Sequence, residues 1–378
     1  MSLPLAGIRV LEFGGNIAGP SATWILAELG AEVIKVERPG GGDDARSWGP
    51  PFWRETATVF HAINRNKKSI AVDLSDVNER DRLKDYIIRD VDVVLQNMRP
   101  GAIDRLGLGA DDLLALKAEL IFCNLHAFGA DGPMANRPGY DALIQAFGGI
   151  MSVTGSEGDD PVRCGISVID IGTGMWCAIG VLAALSRRKD TGKGGRIDAS
   201  LFETALTWMA AYIADYQVNG ERPKKHGTGA RGITPYRAYD CADGQLIVAA
   251  PNDRLFEIFA GVLEVPEWAA DERFATSPAR SENKDTLNPM IDQVMRAHDR
   301  MHWQVKLDAA GVPNAPLQLI DEVISDPQTV ALGALQQTDD PAMKMMGLPI
   351  SFDRERPPLR NVAPSVGEQT EEILGTGE

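Results

Sequence analysis

Short apolar runs alternate with amphipathic stretches through the first third of the chain, and no other feature limits the possible folds as strongly. Residues 8–13 (IRVLEF), 32–37 (EVIKVE), 69–74 (SIAVDL), 92–97 (DVVLQN) and 120–125 (LIFCNL) are rich in β-branched side chains and about six residues long, the signature of strands. Between them, residues 21–29 and 76–89 place Leu, Ile and Trp at helical spacing, with Ser21 and Asp76 positioned as N-caps. A βαβ series of this kind predicts a mostly parallel, doubly wound α/β sheet, whose ligands sit at the carboxyl ends of the strands.

Further along, residues 172–188 and 200–216 read as long helices joined by the turn TGKGGR at 191–196. Residues 219–232 (NGERPKKHGTGARG) form the sharpest break in composition. PYRAYDCADGQLIVAA then reads as a hairpin turning at Asp243-Gly244. Residues 252–309 are mainly helical and charged, and residues 313–378 are Pro-rich. A chain of 378 residues has room for roughly two or three domains. Its 44% apolar content, spread along the whole length, excludes disorder as the main state. The longest near-apolar run, from Gly174 to Leu185, falls short of the ~20 residues of a membrane span. The opening MSLPLAGIRVLEF lacks the basic, apolar and small-residue succession of an export signal, which points to a cytoplasmic protein. Cys123, Cys164, Cys177 and Cys241 form no CxxC pair, so neither disulfides nor zinc are expected.

A net charge of −15, from 38 Lys and Arg against 53 Asp and Glu, repels nucleic acid and anionic lipid, so a polyanionic ligand needs a local basic cluster. Arg38 follows the second strand, Arg99 and Arg105 follow the fourth, and Arg137 lies further on; Arg38, Arg99 and Arg105 should share one rim of the sheet and converge on one anion. Arg65, Lys67 and Lys68 either join them or form an exposed turn. The loop Gly14–Gly19 has GxxxxG spacing but carries Pro20 where a phosphate-binding lysine belongs, which excludes a nucleoside-triphosphate site. Its glycines serve either tight strand-on-helix packing or a backbone approach to a ligand. Gly227-Thr228-Gly229-Ala230-Arg231-Gly232 matches the dinucleotide fingerprint by letter but precedes a hairpin, the wrong context for NAD. His298 and His302 are four apart without an HExxH glutamate, as on a solvated helix face. Asp170 stands in an apolar segment (VIDIGTG) at the start of a helix. It is either an N-cap or a nucleophile kept ionised by the helix end and flanked by glycines that admit a bulky substrate.

Read in order, GIRVLEF…AGP…LAELGAEVIKVERPGGGD, NRNKKSIAVDL, NMRPGAIDRLGLG, RPGYDALIQAFGGIMSVTG, DIGTGMWCAIGVLAAL and RRKDTGKGGRIDASLFETAL resemble the class III CoA-transferases, the formyl-CoA and carnitine CoA-transferase family, over nearly the whole chain. The resemblance implies that Asp170 is the catalytic aspartate. It implies that Asn16, Ile17, Arg38, Leu74, Asn97, Met98, Arg105, Arg137 and Tyr140 surround coenzyme A, and that Gly227, Gly229 and Gly232 belong to a glycine loop covering the site. GTGARG departs from the unbroken glycine run of the formyl-CoA enzyme. The implied fold is a large Rossmann-like domain (residues 1–200 and 320–378), a smaller α+β domain (225–305) and connecting segments (201–224 and 306–319), in an interlocked homodimer. The implied reaction carries CoA from a small acyl-CoA donor, succinyl-CoA being the first candidate, to a carboxylic acid through aspartyl anhydride and aspartyl-CoA thioester intermediates, with no permanently bound cofactor, metal, nucleic acid or membrane. An α-methylacyl-CoA racemase would carry His where this chain has Tyr140, and a tyrosine with an ordinary pKa near 10 shuttles protons poorly at neutral pH. A non-catalytic acyl-CoA-binding protein would not need Asp170 and its glycines.

Overall fold

The computed structural model describes residues 3–375. The chain divides into two compact units: one built from the segments up to Ile150, Arg163–Val218 and Pro327 onward, the other from Met151–Val162 and Asn219–Asp326. The first unit is a mixed α/β structure around a parallel sheet. Its strands are β1 (Arg9–Phe13), β2 (Glu32–Glu37), β3 (Lys67–Ala71), β4 (Val93–Gln96), β5 (Ile121–His126) and β6 (Gly195–Ser200), in the spatial order β3-β2-β1-β4-β5-β6. Val10 of β1 lies between Val33 of β2 and Val93 of β4.

The runs Val10–Leu11, Val33–Ile34, Val93–Leu95 and Ile121–Cys123 are continuously apolar because both faces of the sheet are covered there. Val10, Val33, Val93 and Cys123 point to one core with helices α1 (Ala18–Glu28) and α4 (Val168–Thr191). Leu11, Ile34, Val94 and Phe122, one residue later or earlier in each strand, point to a second core with α2 (Val77–Asp90). That is the period of two expected of a pleated strand. The outer side of β3 is covered too: Ala71 N–H donates to Thr370 Oγ1 (2.9 Å) and Ser69 N–H to Gln369 Oε1 (2.8 Å), which leaves no bare edge there to recruit another strand.

Several local expectations change. Asp76 does cap α2, accepting from Asn78 and Glu79 N–H. Ser21 caps nothing; α1 begins at Ala18 after Ile17, and Ser21 is buried within the helix. The strand β6 was not foreseen: its sequence GRIDAS is polar, and only pairing of Ile121 through His126 against it makes it a strand. The helix expected over 200–216 is two, α5 (Leu201–Trp208) and α6 (Ala210–Asn219), with Ser200 Oγ accepting from Glu203 N–H as the cap of the first. The 24-residue α4 is longer than its apolar run and by length and composition could cross a bilayer, but half of that window is buried inside the molecule, as in a core helix.

The second unit holds a three-stranded antiparallel sheet, with β8 (Gly244–Ala249) between β7 (Tyr236–Cys241) and β9 (Asn314–Pro316). The hairpin turns on Ala242-Asp243, one residue before the expected pair, since Cys241 faces Gly244. Helices α7 (Asp253–Val262), α8 (Lys284–Met295) and α9 (Arg300–Ala310) cover it, burying Phe256, Phe259, Ile291 and Trp303. His298 and His302 do not share a helix face: His298 precedes α9, and the two rings stack with centroids 3.8 Å apart.

Candidate active site

In the first unit the strand order reverses beside β1, so the carboxyl ends of β1 and β4 diverge and leave a crevice between their loops. The loops are sewn together there. Gly15 N–H donates to Asn97 Oδ1 (2.9 Å), and Asn97 Nδ2 donates to Gly15 O (2.9 Å). Asn16 N–H donates to Asp43 Oδ1 (3.1 Å). A Cβ on Gly19 would come within 3.1 Å of Asn97. For Gly15, Asn16 and Gly19 the packing alternative therefore holds: the two amides bind protein.

A cavity of about 870 Å³ opens above these loops, and Asp170, Asn16, Ile17, Asn97, Met98, Arg105, Arg137 and Tyr140 all line it, together with Arg99, Asp141 and His126. Arg38 and Leu74 line a hollow of about 520 Å³ that shares Asn16, Asp44, Asn97, Met98 and Arg99 with it. Arg38 is exposed and ion-paired with Asp44. The arginines after the second and fourth strands thus meet on adjoining walls. Gly227 and Gly229 line a hollow of about 400 Å³ within the second unit, beside Ser156 and His226. Gly232, in the same loop, accepts a hydrogen bond from Ser281 through its carbonyl.

Asp170 is not the cap of α4. The cap position falls on Ser167, whose side chain bonds nothing there, and the capping acceptor is Asp141 at the start of α3 (Asp141–Phe147). Asp141 Oδ2 accepts from Ile169 N–H (2.8 Å) and Asp170 N–H (3.1 Å), while Gln145 donates to its other oxygen. The helix start is satisfied by a neighbour, which leaves the Asp170 carboxyl free to face the cavity. Burial and the Asp141 carboxylate push Asp170 up to about 7; the positive end of α4 works against them. The flanking glycines do not admit substrate: a Cβ on Gly172 would meet Trp208 at 2.7 Å, and one on Gly174 would meet Ser21 at 2.9 Å. They are small so that α4 can press on α5 and α1.

A model of CoA-transferase family III matches residues 5–370. The chain belongs to that family. It is 34% identical over 374 residues to the succinyl-CoA:glutarate CoA-transferase of Mus musculus, covering 98% of this chain and 86% of that protein. It is 33% identical to the acetyl-CoA:oxalate CoA-transferase of Acetobacter aceti, covering 97% and 94%. A crystal structure of a CaiB/BaiF family protein from Brucella suis superposes with a TM-score of 0.90 at 36% identity, covering 99% of each chain. The protein is accordingly a CoA-transferase, an enzyme whose substrates are CoA thioesters.

In this family III enzyme Arg65 and the two lysines that open β3 line neither hollow of the candidate site, and they do not form an exposed turn. Arg65 is 1% exposed and pairs with Glu28 (3.0 Å). Lys67 is buried and bonds Glu12 (2.9 Å), and Lys68 is split between Glu32 and Glu372. Burial pulls Lys67 down to about 8. Desolvation would raise Glu12, but Lys35 and Lys67 outweigh it and hold the carboxyl at about 2. A buried carboxylate inside a sheet draws cations inward that sequence alone assigns to the surface.

Two titratable groups of the transferase's cavity are not picked out by the sequence motifs. Asp141 carried a visible signal, an acid directly ahead of an apolar helix. His126 did not: its Nε2 lies 3.0 Å from Asp198, a residue of the unforeseen β6. Desolvation raises the Asp198 carboxyl, but hydrogen bonds from His126, Arg196 and Asn124 outweigh it and keep it below its usual value.

Proposed function

We propose that this CoA-transferase moves coenzyme A from a small dicarboxylic acyl-CoA, succinyl-CoA first among candidates, to a free dicarboxylic acid of glutarate's size, with Asp170 as the covalent relay. The observation that carries the reading is the Asp170 carboxyl itself, relieved of capping by Asp141 and opening on the cavity that eight of the motif residues share. The Asp170 oxygen attacks the donor's thioester carbonyl and expels CoA thiolate, giving a mixed anhydride. The thiolate then attacks the Asp170 carbonyl carbon, releasing the donor acid and leaving an aspartyl-CoA thioester. The acceptor carboxylate repeats both steps in reverse and departs as the new thioester. One thioester replaces another, so the protein's work is positioning and the exclusion of water from the anhydride.

The coenzyme's phosphates belong, in this reading, against Arg38, Arg99 and Arg105, at the switch point of a Rossmann-like sheet. For the GTGARG loop of the second unit, the positive φ of Gly227 and Gly232 supports a backbone that needs glycine. The relatives named for glutarate and oxalate support a small acid as acceptor. An interlocked homodimer is supported by the uncovered apolar side of α4, where Met175, Trp176 and Ile179 are exposed.

The test is to incubate the enzyme with succinyl-CoA and no acceptor, then digest it and weigh the peptide carrying Asp170. A CoA-mass adduct is expected there, absent in Asp170→Asn. An unmodified peptide, or full transfer activity in that variant, refutes the relay. Exchange of an α-proton with deuterated water in place of transfer would make the enzyme a racemase.

A further inference from the structure

Asp43 lines the hollow of about 520 Å³ that adjoins the cavity. Its Oδ1 accepts from Asn16 N–H (3.1 Å) and Ala45 N–H (3.0 Å), so one oxygen ties the loop after β1 to the turn after β2. Its Oδ2 lies 2.8 Å from Lys35 Nζ, and that ammonium also donates to Gly14 O (2.6 Å) and to Glu12 Oε1 (2.7 Å). The Lys35 and Glu12 side chains are fully buried and that of Asp43 is 2% exposed, so water scarcely competes for these contacts. Asn16 meanwhile holds φ +64°, a left-handed conformation that a residue with a Cβ keeps only where its surroundings impose it. Asn97 grips the corner at Gly15, and Asp43 grips it at Asn16.

We propose that Asp43, set by Lys35, is a positioning residue of the transferase: it presets the Gly14–Asn16 corner and the neighbouring Asp44 turn in the shape that receives the acyl-CoA. It acts through Asn16 and Asp44, both of which line the two adjoining hollows. This rests on the reading of the cavity as the acyl-CoA site. A carboxylate is used because a single oxygen must accept two amides while the other meets an ammonium. The reach is equally strict, since one added methylene would push the oxygen past Asn16 N–H.

Two variants separate position from charge. Asp43→Asn keeps the acceptor in place and loses the charge; Asp43→Glu keeps the charge and moves the acceptor. The acyl-CoA KM of Asp43→Glu is expected to rise about tenfold with kcat held within about threefold, while Asp43→Asn keeps a KM within about threefold of wild type although its melting temperature falls. A role in stability alone gives the reverse order, with KM unchanged in Asp43→Glu or following the melting temperature in both, and either result overturns the proposal. Should a variant not fold, amide hydrogen exchange of residues 14–17 in the wild-type enzyme decides: slow exchange with and without CoA is expected, and exchange that slows only on CoA addition overturns presetting. Failure of the wild-type enzyme to bind CoA by calorimetry refutes the site reading itself, whereas normal binding with an unaltered Asp43→Glu refutes only this inference.

Discussion

At the scale of single residues, the proposed relay rests on two carboxyl groups that meet across the first turn of α4. Asp141 satisfies the amides at 169 and 170, and its charge, added to burial, holds Asp170 near 7. If Asp170 must be ionised to attack, kcat/KM should rise through about pH 7. Asp141→Asn keeps the amide acceptor and removes the repelling charge, so its pH profile should shift to lower pH; an unshifted midpoint would remove Asp141 from the account. Stability runs the other way. The pKa in the folded protein lies above the ordinary 3.8 of an aspartate, so the protonated group favours the fold below about pH 4, and that contribution is lost as pH climbs through about 7. Asp170→Asn should melt with wild type at pH 4 and above it at pH 8. The gap at pH 8 should be on the order of 1–3 kcal/mol, because a tenfold change in proton affinity is worth about 1.4 kcal/mol and water in the cavity screens part of it. Thermal melts at the two pH values check this.

Among secondary-structure elements, the tightest constraints are the buried ion network under β1–β3 and the close approach of α1 to α4. Glu12 accepts from both Lys35 and Lys67, and Lys35 also serves Asp43. Removing one cation leaves buried carboxylates short of partners, so Lys35→Met should cost about 3–5 kcal/mol in denaturant unfolding. Gly174→Ala places a methyl 2.9 Å from Ser21 and 3.0 Å from the Ala18 carbonyl, in a contact between two long helices that cannot both yield. The expected loss is about 1–3 kcal/mol. Gly261 in α7 has open space around it, and Gly261→Ala should be neutral or stabilising by up to about 1 kcal/mol. Equal effects at the two glycines would undo the packing argument.

Taken as a whole, the molecule leaves apolar surface uncovered on adjoining helices of the first unit. Ile179 is 51% exposed on α4, and Trp208 of α5 and Phe147 of α3 are exposed as well. Single exposed apolar residues are ordinary, but a run of them along helices that pack together marks an interface. Light scattering should therefore find twice the mass of one chain, and Ile179→Glu should shift the population toward the monomer. A monomeric wild-type enzyme at micromolar concentration would remove the homodimer from the proposal.

The sequence by itself determined the parts whose causes are local. Strands buried on both faces announce themselves by continuous apolar runs, Asp76 caps the helix that follows it, and the motif around Asp170 named a carboxyl that does open on a cavity with its motif partners. Only the tertiary structure decided what depends on pairing across the chain. GRIDAS became a strand because β5 lay open beside it, and His126 found Asp198 across 72 residues of sequence. Asp141 took the capping of α4 from a residue 29 positions away, and Asp43 reached Asn16 across 27. Periodicity records which face a residue turns to the core. A hydrogen bond between distant segments leaves no such trace, because its energy depends on a geometry that exists only after the sheet has closed.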